Sequence, residues 1–184
     1  MLGRRLIGLV ILGLVVTSFF NSPRKTTRSH SHAHARAGEV VQGEVVSIAD
    51  GDTLTVLDGA DREHRIRLFG IDAPEKAQAF GRQSKENLAE KVFRKTVRVE
   101  VVDIDRYGRE VGRIFLGRRF INQEMVEDGF AWRYTAFDHN REFEAPEADA
   151  RRHRRGLWAD PHPIPPWEFR REKRTDSSFD ERSV

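Results

Sequence analysis

Residues 40–69, VVQGEVVSIADGDTLTVLDGADREHRIRLF, contain three strand patterns separated by two turns. Residues 40–48 are rich in Val and Ile, residues 53–57 form a second short apolar run, and residues 64–69 alternate charged and apolar side chains. The Asp-Gly sequences between these runs favour the backbone angles of tight turns. Three strands joined by short turns predict an antiparallel sheet.

The spacing of apolar residues changes after this sheet, from the period of a strand to that of a helix. Glycines follow two of the helical patterns, as is common at helix ends. The remaining predicted elements are helices at 80–93, 122–128 and 143–155 and strands at 97–104 and 111–116. The whole pattern predicts an α+β fold, a small five-stranded antiparallel OB-type β-barrel with about three helices.

The chain divides into four regions by composition. Residues 1–20 combine two arginines with an apolar run, which is typical of a signal peptide or a signal anchor, and both alternatives stay open. The chain is therefore expected to be exported, either secreted or periplasmic, or anchored to the membrane. Residues 21–38 have the composition of a disordered linker, and residues 39–160 form the folded domain. Residues 161–184 are a Pro-containing charged tail, with little order expected after Phe169.

Charge and cysteine content narrow the function classes. About 33% of the residues are charged and the net charge is +3, which permits binding to nucleic acid without establishing it. The sequence has no cysteine, so disulfides, thiolate zinc sites and cysteine nucleophiles are excluded.

Carboxylates in two turn sequences are candidate ligands for a hard cation. Asp52 lies in Asp-Gly-Asp-Thr, and Asp72 ends an apolar run before Ala-Pro. Carboxylate oxygens without neighbouring His or Cys favour Ca²⁺ or Mg²⁺ over zinc. Pro74 holds Ala73 extended, so that the Ala73 carbonyl is a further candidate ligand. Ordinary turn or helix-capping roles for the two aspartates are the alternative.

Other side chains near these turns suit hydrolysis of a phosphodiester. Glu75 follows Asp72 by three residues, close enough to accept a proton from a water at the same cation. Arg67 and Arg109 can bind phosphate oxygens and stabilise the charge of a transition state. Tyr107 can stack on a base. The alternative for Glu75, Arg67 and Arg109 is an ordinary surface role, and the alternative for Tyr107 is core or turn packing.

Three strings in this order, 50–53, 67–75 and 105–109, followed by Gly-Leu-Trp at 156–158, resemble the thermonuclease family of staphylococcal nuclease-like OB-fold domains. The resemblance implies a calcium-dependent endonuclease that acts on DNA and RNA and leaves 3′-phosphate ends. It assigns Asp52, Asp72 and the Ala73 carbonyl to Ca²⁺, and it assigns Glu75, Arg67 and Arg109 to catalysis. The family's best-known members have threonine at the position of Ala73 and a longer Lys- and Gly-rich loop after the glutamate.

A non-catalytic nucleic-acid-binding module on the same barrel is the alternative function. A binding module has no need for two cation ligands, a base and two arginines together, so the complete set favours the enzyme. A structural protein of the cell envelope is suggested only by the N-terminal segment. No protein partner is evident, and a monomer is expected.

Overall fold

A computed structural model of the chain describes residues 31–32, 35–135 and 141–180, with side chains at 35–135 and 141–175. The strands are β1 (Ser31–His32), β2 (Val40–Ile48), β3 (Thr53–Asp58), β4 (Arg62–Leu68), β5 (Ile71–Asp72), β6 (Thr96–Ile104), β7 (Glu110–Leu116), β8 (Arg119–Phe120) and β9 (Trp132–Arg133). The helices are α1 (Gly81–Val92), α2 (Ile121–Glu127), α3 (Glu144–Arg152) and α4 (Pro166–Asp180), with short 3₁₀ turns at Arg141–Phe143 and Gly156–Ala159.

Five strands of the main sheet form a closed barrel. The order in the sheet is β1-β4-β3-β2-β6-β7-β8, and β4 also pairs with β7. Burial alternates along the first part of β2, where Val41 and Val45 are buried, and a register shift between Val45 and Ser47 brings Ile48 to the buried side as well. The two-residue period and this shift place the three side chains inside the barrel, where their burial stabilises the closed sheet.

The pair that closes the barrel is parallel, which corrects the prediction of an antiparallel barrel. β4 and β7 run in the same direction, with Arg67 opposite Val111, whereas β4, β3, β2, β6 and β7 are joined in turn by antiparallel pairs. Four antiparallel steps return the chain to its starting direction. A closed ring of five strands therefore needs one parallel pair.

A buried polar cluster lies beside this parallel pair. The Glu110 carboxylate, 1% exposed, accepts a hydrogen bond from the Ala35 N–H at 2.7 Å and lies 2.9 Å from Nδ1 of His64. The other ring nitrogen of His64 lies 3.2 Å from Oδ2 of Asp58. Because every member has a polar partner, the cluster ties the segment before β2 to the barrel without leaving a buried group unpaired.

Aromatic side chains connect the C-terminal part of the chain to the barrel domain. The Trp132 ring on β9 lies 4.3 Å from that of Trp158 and 5.8 Å from that of Trp167, both in edge-to-face geometry. Such pairs add to the stabilisation from apolar burial. Helix α4, which carries Trp167, is therefore packed on the domain.

The fold class is confirmed, as are the five barrel strands and three helices, with ends that differ from the predictions by at most three residues. The expectation of little order after Phe169 was wrong, because α4 continues to Asp180. The predicted signal segment at 1–20 lies outside the described residues. Within the part of the chain that the structure describes, each helix is too short or too polar to cross a lipid bilayer.

Candidate functional site

Two buried aspartates lie together at one end of the barrel. Asp52 ends the turn between β2 and β3 and is 6% exposed, and Asp72 lies in β5 and is 1% exposed. Oδ2 of Asp52 accepts a hydrogen bond from the Ala73 N–H at 2.7 Å. The Asp52 carbonyl accepts another from the Leu68 N–H at 2.8 Å. These bonds join two turns that are distant in sequence, as a common cation site requires.

Gly51 allows the close contact between these turns. A Cβ atom at this position would lie 1.8 Å from Oγ of Ser84 in α1 and 2.8 Å from Cβ of Ala73. Neither distance is compatible with a side chain, so only glycine lets the Asp52 turn reach this depth. The Asp-Gly-Asp sequence therefore serves packing as well as turn formation.

Arg67 on β4 contacts both aspartates. Its guanidinium donates to Oδ1 of Asp72 at 3.0 Å and lies 3.3 Å from Oδ2 of Asp52. It also donates to the carbonyls of Leu68 at 3.0 Å and Ile71 at 2.8 Å. The side chain is only 16% exposed. Arg67 is therefore a fixed cation that offsets the repulsion between two buried carboxylates.

The carboxylates of the site are close together and poorly solvated. Burial and the neighbouring Asp52 carboxylate raise the pKa of Asp50 to about 6. Burial raises the pKa of Asp72 as well, and together with a contribution from Asp52 it outweighs the lowering by Arg170 and Arg67. A pKa raised in this way means that the charged carboxylates repel one another in a poorly solvated place. A cation bound there would relieve that repulsion.

Arg109 reaches the same site through Thr53. Its guanidinium donates to Oγ1 of Thr53 at 3.4 Å, and that hydroxyl donates to Oδ1 of Asp52 at 3.0 Å. Nε of Arg109 donates to Oδ2 of Asp105 at 2.7 Å, and the backbone N–H donates to Oδ1 at 2.9 Å. Burial opposes the charge on Asp105, but these hydrogen bonds hold its pKa below the usual value. Asp105 therefore orients Arg109 toward the aspartates.

Tyr107 lies at the rim of the site. It occupies the same turn as Arg109 and is 68% exposed. The Arg106 guanidinium covers the ring at 4.9 Å and donates to the hydroxyl at 2.8 Å, and the Arg109 guanidinium lies 5.7 Å from the ring. An exposed aromatic ring flanked by arginines can stack on a base while the cations contact phosphate.

Glu75 lies in a tight turn that leads to α1. Its N–H donates to Oε1 of Gln78 at 3.1 Å, and its carbonyl accepts from the Gln78 N–H at 2.8 Å. The Glu75 side chain is 41% exposed, which leaves it in reach of water. It is joined to the aspartates by one further residue, Arg170, which was not among the predicted site residues.

Arg170 on α4 contacts Asp72 and Glu75 together. Its guanidinium donates to Oδ2 of Asp72 at 2.8 Å, to Oδ1 of Asp72 at 3.3 Å and to Oε1 of Glu75 at 2.7 Å. Burial works against the charge of Arg170, but the hydrogen bonds to the two carboxylates outweigh it and raise its pKa. A positively charged group therefore already contacts one of the predicted cation ligands.

The sequence contains a pattern that predicts the helix carrying Arg170, but no pattern that predicts the contact of Arg170 with the site. Pro166 followed by Trp167 and Phe169 is typical of a helix start with an apolar face. Arg170 lies 98 residues from Asp72, so spacing alone could not join them.

The donor set fits a hard cation with an incomplete protein shell. Among the residues that the structure describes, no group of three or more His, Cys, Asp or Glu side chains is placed to hold a metal ion. The predicted ligands are two carboxylates and one carbonyl, and Ca²⁺ binds six to eight oxygens. Water or substrate oxygens would complete such a shell. The fit rests on two buried carboxylates, the raised pKa of Asp72 and the guanidinium of Arg170 in a cation position.

Comparisons with known proteins match the barrel domain. The family described as staphylococcal nuclease homologue matches residues 65–160, just over half of the chain. An uncharacterized endonuclease of Haemophilus influenzae is 41% identical over 136 residues, which cover 74% of this chain and 76% of the relative. The micrococcal nuclease of Shigella flexneri is 41% identical over 142 residues, covering 71% and 80%. A probable staphylococcal-like nuclease of Oryza sativa subsp. japonica is 45% identical over 117 residues, covering 64% and 35%.

Proposed function

Because the chain belongs to the staphylococcal nuclease family, we propose that it is a calcium-dependent endonuclease that cleaves DNA and RNA and leaves 3′-phosphate ends. The resemblance of its three sequence strings to this family is confirmed by these relatives, and nuclease activity is the function that they support. The observation that carries the finer proposal is the pairing of buried Asp52 and Asp72 with Arg67, beside Arg109.

The two aspartates and the Ala73 carbonyl would hold Ca²⁺. When bound, the cation would polarise a phosphate oxygen and provide a place for the attacking water. Asp52 and Asp72 are fixed by the Ala73 N–H and by Arg67, so they need little rearrangement to bind it. Oxygen donors of this kind suit Mg²⁺ as well as Ca²⁺, and the choice of Ca²⁺ rests on the family resemblance.

Glu75 would accept the proton of the attacking water. It stands three residues after Asp72 and is partly exposed, so water can reach its carboxylate. In the structure one oxygen of this carboxylate accepts a hydrogen bond from Arg170 at 2.7 Å, so that oxygen is occupied. Glu75 would therefore act after Arg170 has moved away.

As water attacks phosphorus in line and the bond to the 5′-oxygen breaks, Arg67 and Arg109 would stabilise the negative charge that develops and help the 5′-oxygen leave. A guanidinium has five N–H donors, and Leu68, Ile71 and Asp72 take three from Arg67, which leaves two for substrate. Arg109 is oriented by Asp105 through Nε and contacts Thr53 through one terminal nitrogen, and its remaining N–H groups would bind the phosphate. Loss of a preorganised donor of this kind costs roughly 10²- to 10³-fold in turnover. Tyr107 would stack on a base beside the cleaved bond.

The test measures cleavage and the chemistry of the product ends. The purified protein is incubated with single-stranded DNA, double-stranded DNA and RNA in Ca²⁺, in Mg²⁺ and in chelator. We expect cleavage in Ca²⁺ with 3′-phosphate ends, lost in Arg109→Ala. The matched control is Arg118→Ala, because Arg118 is an exposed arginine at the opposite end of β7. Salt-sensitive binding without cleavage in either metal would instead indicate a nucleic-acid-binding module.

We also propose that residues 1–20 direct export, as a cleaved signal peptide or as a membrane anchor, and that the folded chain is a monomer. The support for export is the sequence of that segment alone. Fractionation of cells that produce the chain, with N-terminal sequencing of the product, would distinguish the two forms. Retention of the intact chain in the cytoplasm would contradict export.

A further inference from the structure

Helix α4 brings one arginine onto the candidate cation site from outside the family match. The match ends at residue 160, and α4 begins at Pro166. Two contacts hold the start of the helix. Trp167 packs against Trp132 with ring centres 5.8 Å apart, and Nε2 of Gln78 donates to the Ile164 carbonyl at 2.6 Å. The helix therefore has a defined position over the site.

Arg170 engages the two groups that the proposed reaction needs in other roles. Its guanidinium takes both carboxylate oxygens of Asp72, the proposed cation ligand, and one oxygen of Glu75, the proposed base. A divalent cation at Asp72 and a guanidinium at the same oxygens exclude each other by charge and by space. The hydrogen bond from Arg170 also occupies one oxygen of the Glu75 carboxylate, which the proposed base needs for the attacking water.

The two arginines at Asp72 differ in how firmly they are held. Arg67 is 16% exposed and is bonded to two backbone carbonyls of its own strand region, so it belongs to the barrel. Arg170 is 37% exposed and reaches the site from a helix held chiefly by aromatic contacts. A partly exposed arginine recovers more of its hydration on leaving an ion pair than a buried one does, so Arg170 exchanges more readily than Arg67. Arg170 is therefore the cation that can leave.

We propose that Arg170 is an intramolecular inhibitor, which occupies the cation side of Asp72 and Glu75 until a divalent cation displaces it. This inference rests on the proposed function, since it assumes that Asp72 binds the cation. Helix α4 then sets the calcium concentration at which the nuclease becomes active.

The test compares Arg170→Ala with Arg171→Ala. Both remove one positive charge from α4, but Arg171 is exposed, so its variant controls for net charge. Calcium binding is measured by titration of each protein with CaCl₂ alone, without nucleic acid, by calorimetry. We expect Arg170→Ala to bind Ca²⁺ about three- to tenfold more tightly than the parent and Arg171→Ala to bind like the parent. Arg170→Gln, which keeps much of the side-chain length, should behave like Arg170→Ala.

Cleavage assays over the same calcium range separate this inference from the proposed function. We expect the half-activating Ca²⁺ concentration of Arg170→Ala to fall by the same factor, with kcat unchanged. Equal calcium affinity in all variants, or no calcium binding in any variant, would refute the proposal that Arg170 is an intramolecular inhibitor. A lower kcat at unchanged calcium affinity would also overturn it, since Arg170 would then be a substrate-binding arginine. If Arg170→Ala binds calcium more tightly than the parent but neither protein cleaves nucleic acid, the result would support the role of Arg170 and refute the nuclease proposal.

Discussion

Substitution of Arg67 and of Arg109 by alanine should separate stability from catalysis. Both arginines are assigned to the phosphate, so each variant should lose roughly a hundredfold or more in turnover. Their structural contacts differ. Arg67 contacts two buried carboxylates and two carbonyls, whereas Arg109 pairs with Asp105 near the surface. Only the loss of Arg67 leaves buried charge without its partner.

The expected loss in the free energy of unfolding can be worked out from these contacts. Removing one partner of a buried ion pair costs about 3–5 kcal/mol, because an uncompensated charge remains. Arg67 is 16% exposed and Asp72 keeps Arg170, so the cost should lie near or below the lower limit, at about 2–3 kcal/mol. The Arg109 pair, with both side chains about one-fifth exposed, should contribute at most about 1 kcal/mol.

Urea unfolding followed by tryptophan fluorescence measures both losses, with and without Ca²⁺. The site of Arg67→Ala has one positive charge fewer and should gain more stability from the cation than the parent. At a calcium concentration of 100 times Kd, binding to the folded state alone adds about 2.7 kcal/mol. Equal destabilisation by the two substitutions would refute the assignment of Arg67 to the buried pair. A variant that lacks Arg67 and gains nothing from Ca²⁺ would refute the cation site.

Three further predictions follow from individual contacts. Glu75→Gln should lower kcat by roughly 10²- to 10⁴-fold with little change in KM, and full activity in steady-state kinetics would remove Glu75 as the base. Gly51→Ala should destabilise the protein by about 1–3 kcal/mol in urea unfolding, because its Cβ would meet Ser84 at 1.8 Å; an unchanged midpoint would contradict this. Asp58→Asn should be less stable than the parent at neutral pH. Burial opposes the charge of Asp58, but hydrogen bonds from Arg62 and His64 outweigh it and lower its pKa, so its stabilisation is present above about pH 4 and lost on acidification. A pH-independent difference in unfolding free energy would contradict it.

The strands and the local parts of the site could be predicted because their signals are local. Val41 and Val45 follow a two-residue period that predicts the buried side of the first part of β2, whereas Ile48 reaches that side through a register shift after Val45. In the Asp-Gly-Asp turn and in the Asp-Ala-Pro-Glu segment, the candidate functional residues lie within a few positions of one another. Sequence spacing alone was therefore enough to identify them as candidates. The meeting of Asp52 and Asp72 was expected from the family resemblance, whereas the role of Gly51 in that contact needed the packing of α1.

Two features could not be found from local patterns. The parallel pair of β4 and β7 depends on closure of the ring, although an odd number of strands excludes an entirely antiparallel barrel. The position of the Arg170 side chain depends on where α4 packs. The ring contacts of Trp132 with Trp158 and Trp167 determine that packing. The charged residues after Phe169 suggested a solvated tail, because the sequence does not show which charge meets a buried carboxylate.

The parallel pair also affects when the site comes into existence. It joins residues 66–68 to residues 110–112, so its contacts span more than forty residues and form late in a folding chain. Arg67 lies within this pair and Arg109 directly precedes it, which means that neither arginine is in position before the ring closes. A chain that is still unfolded therefore has no assembled site. Nuclease activity would appear only after the ring of strands has closed.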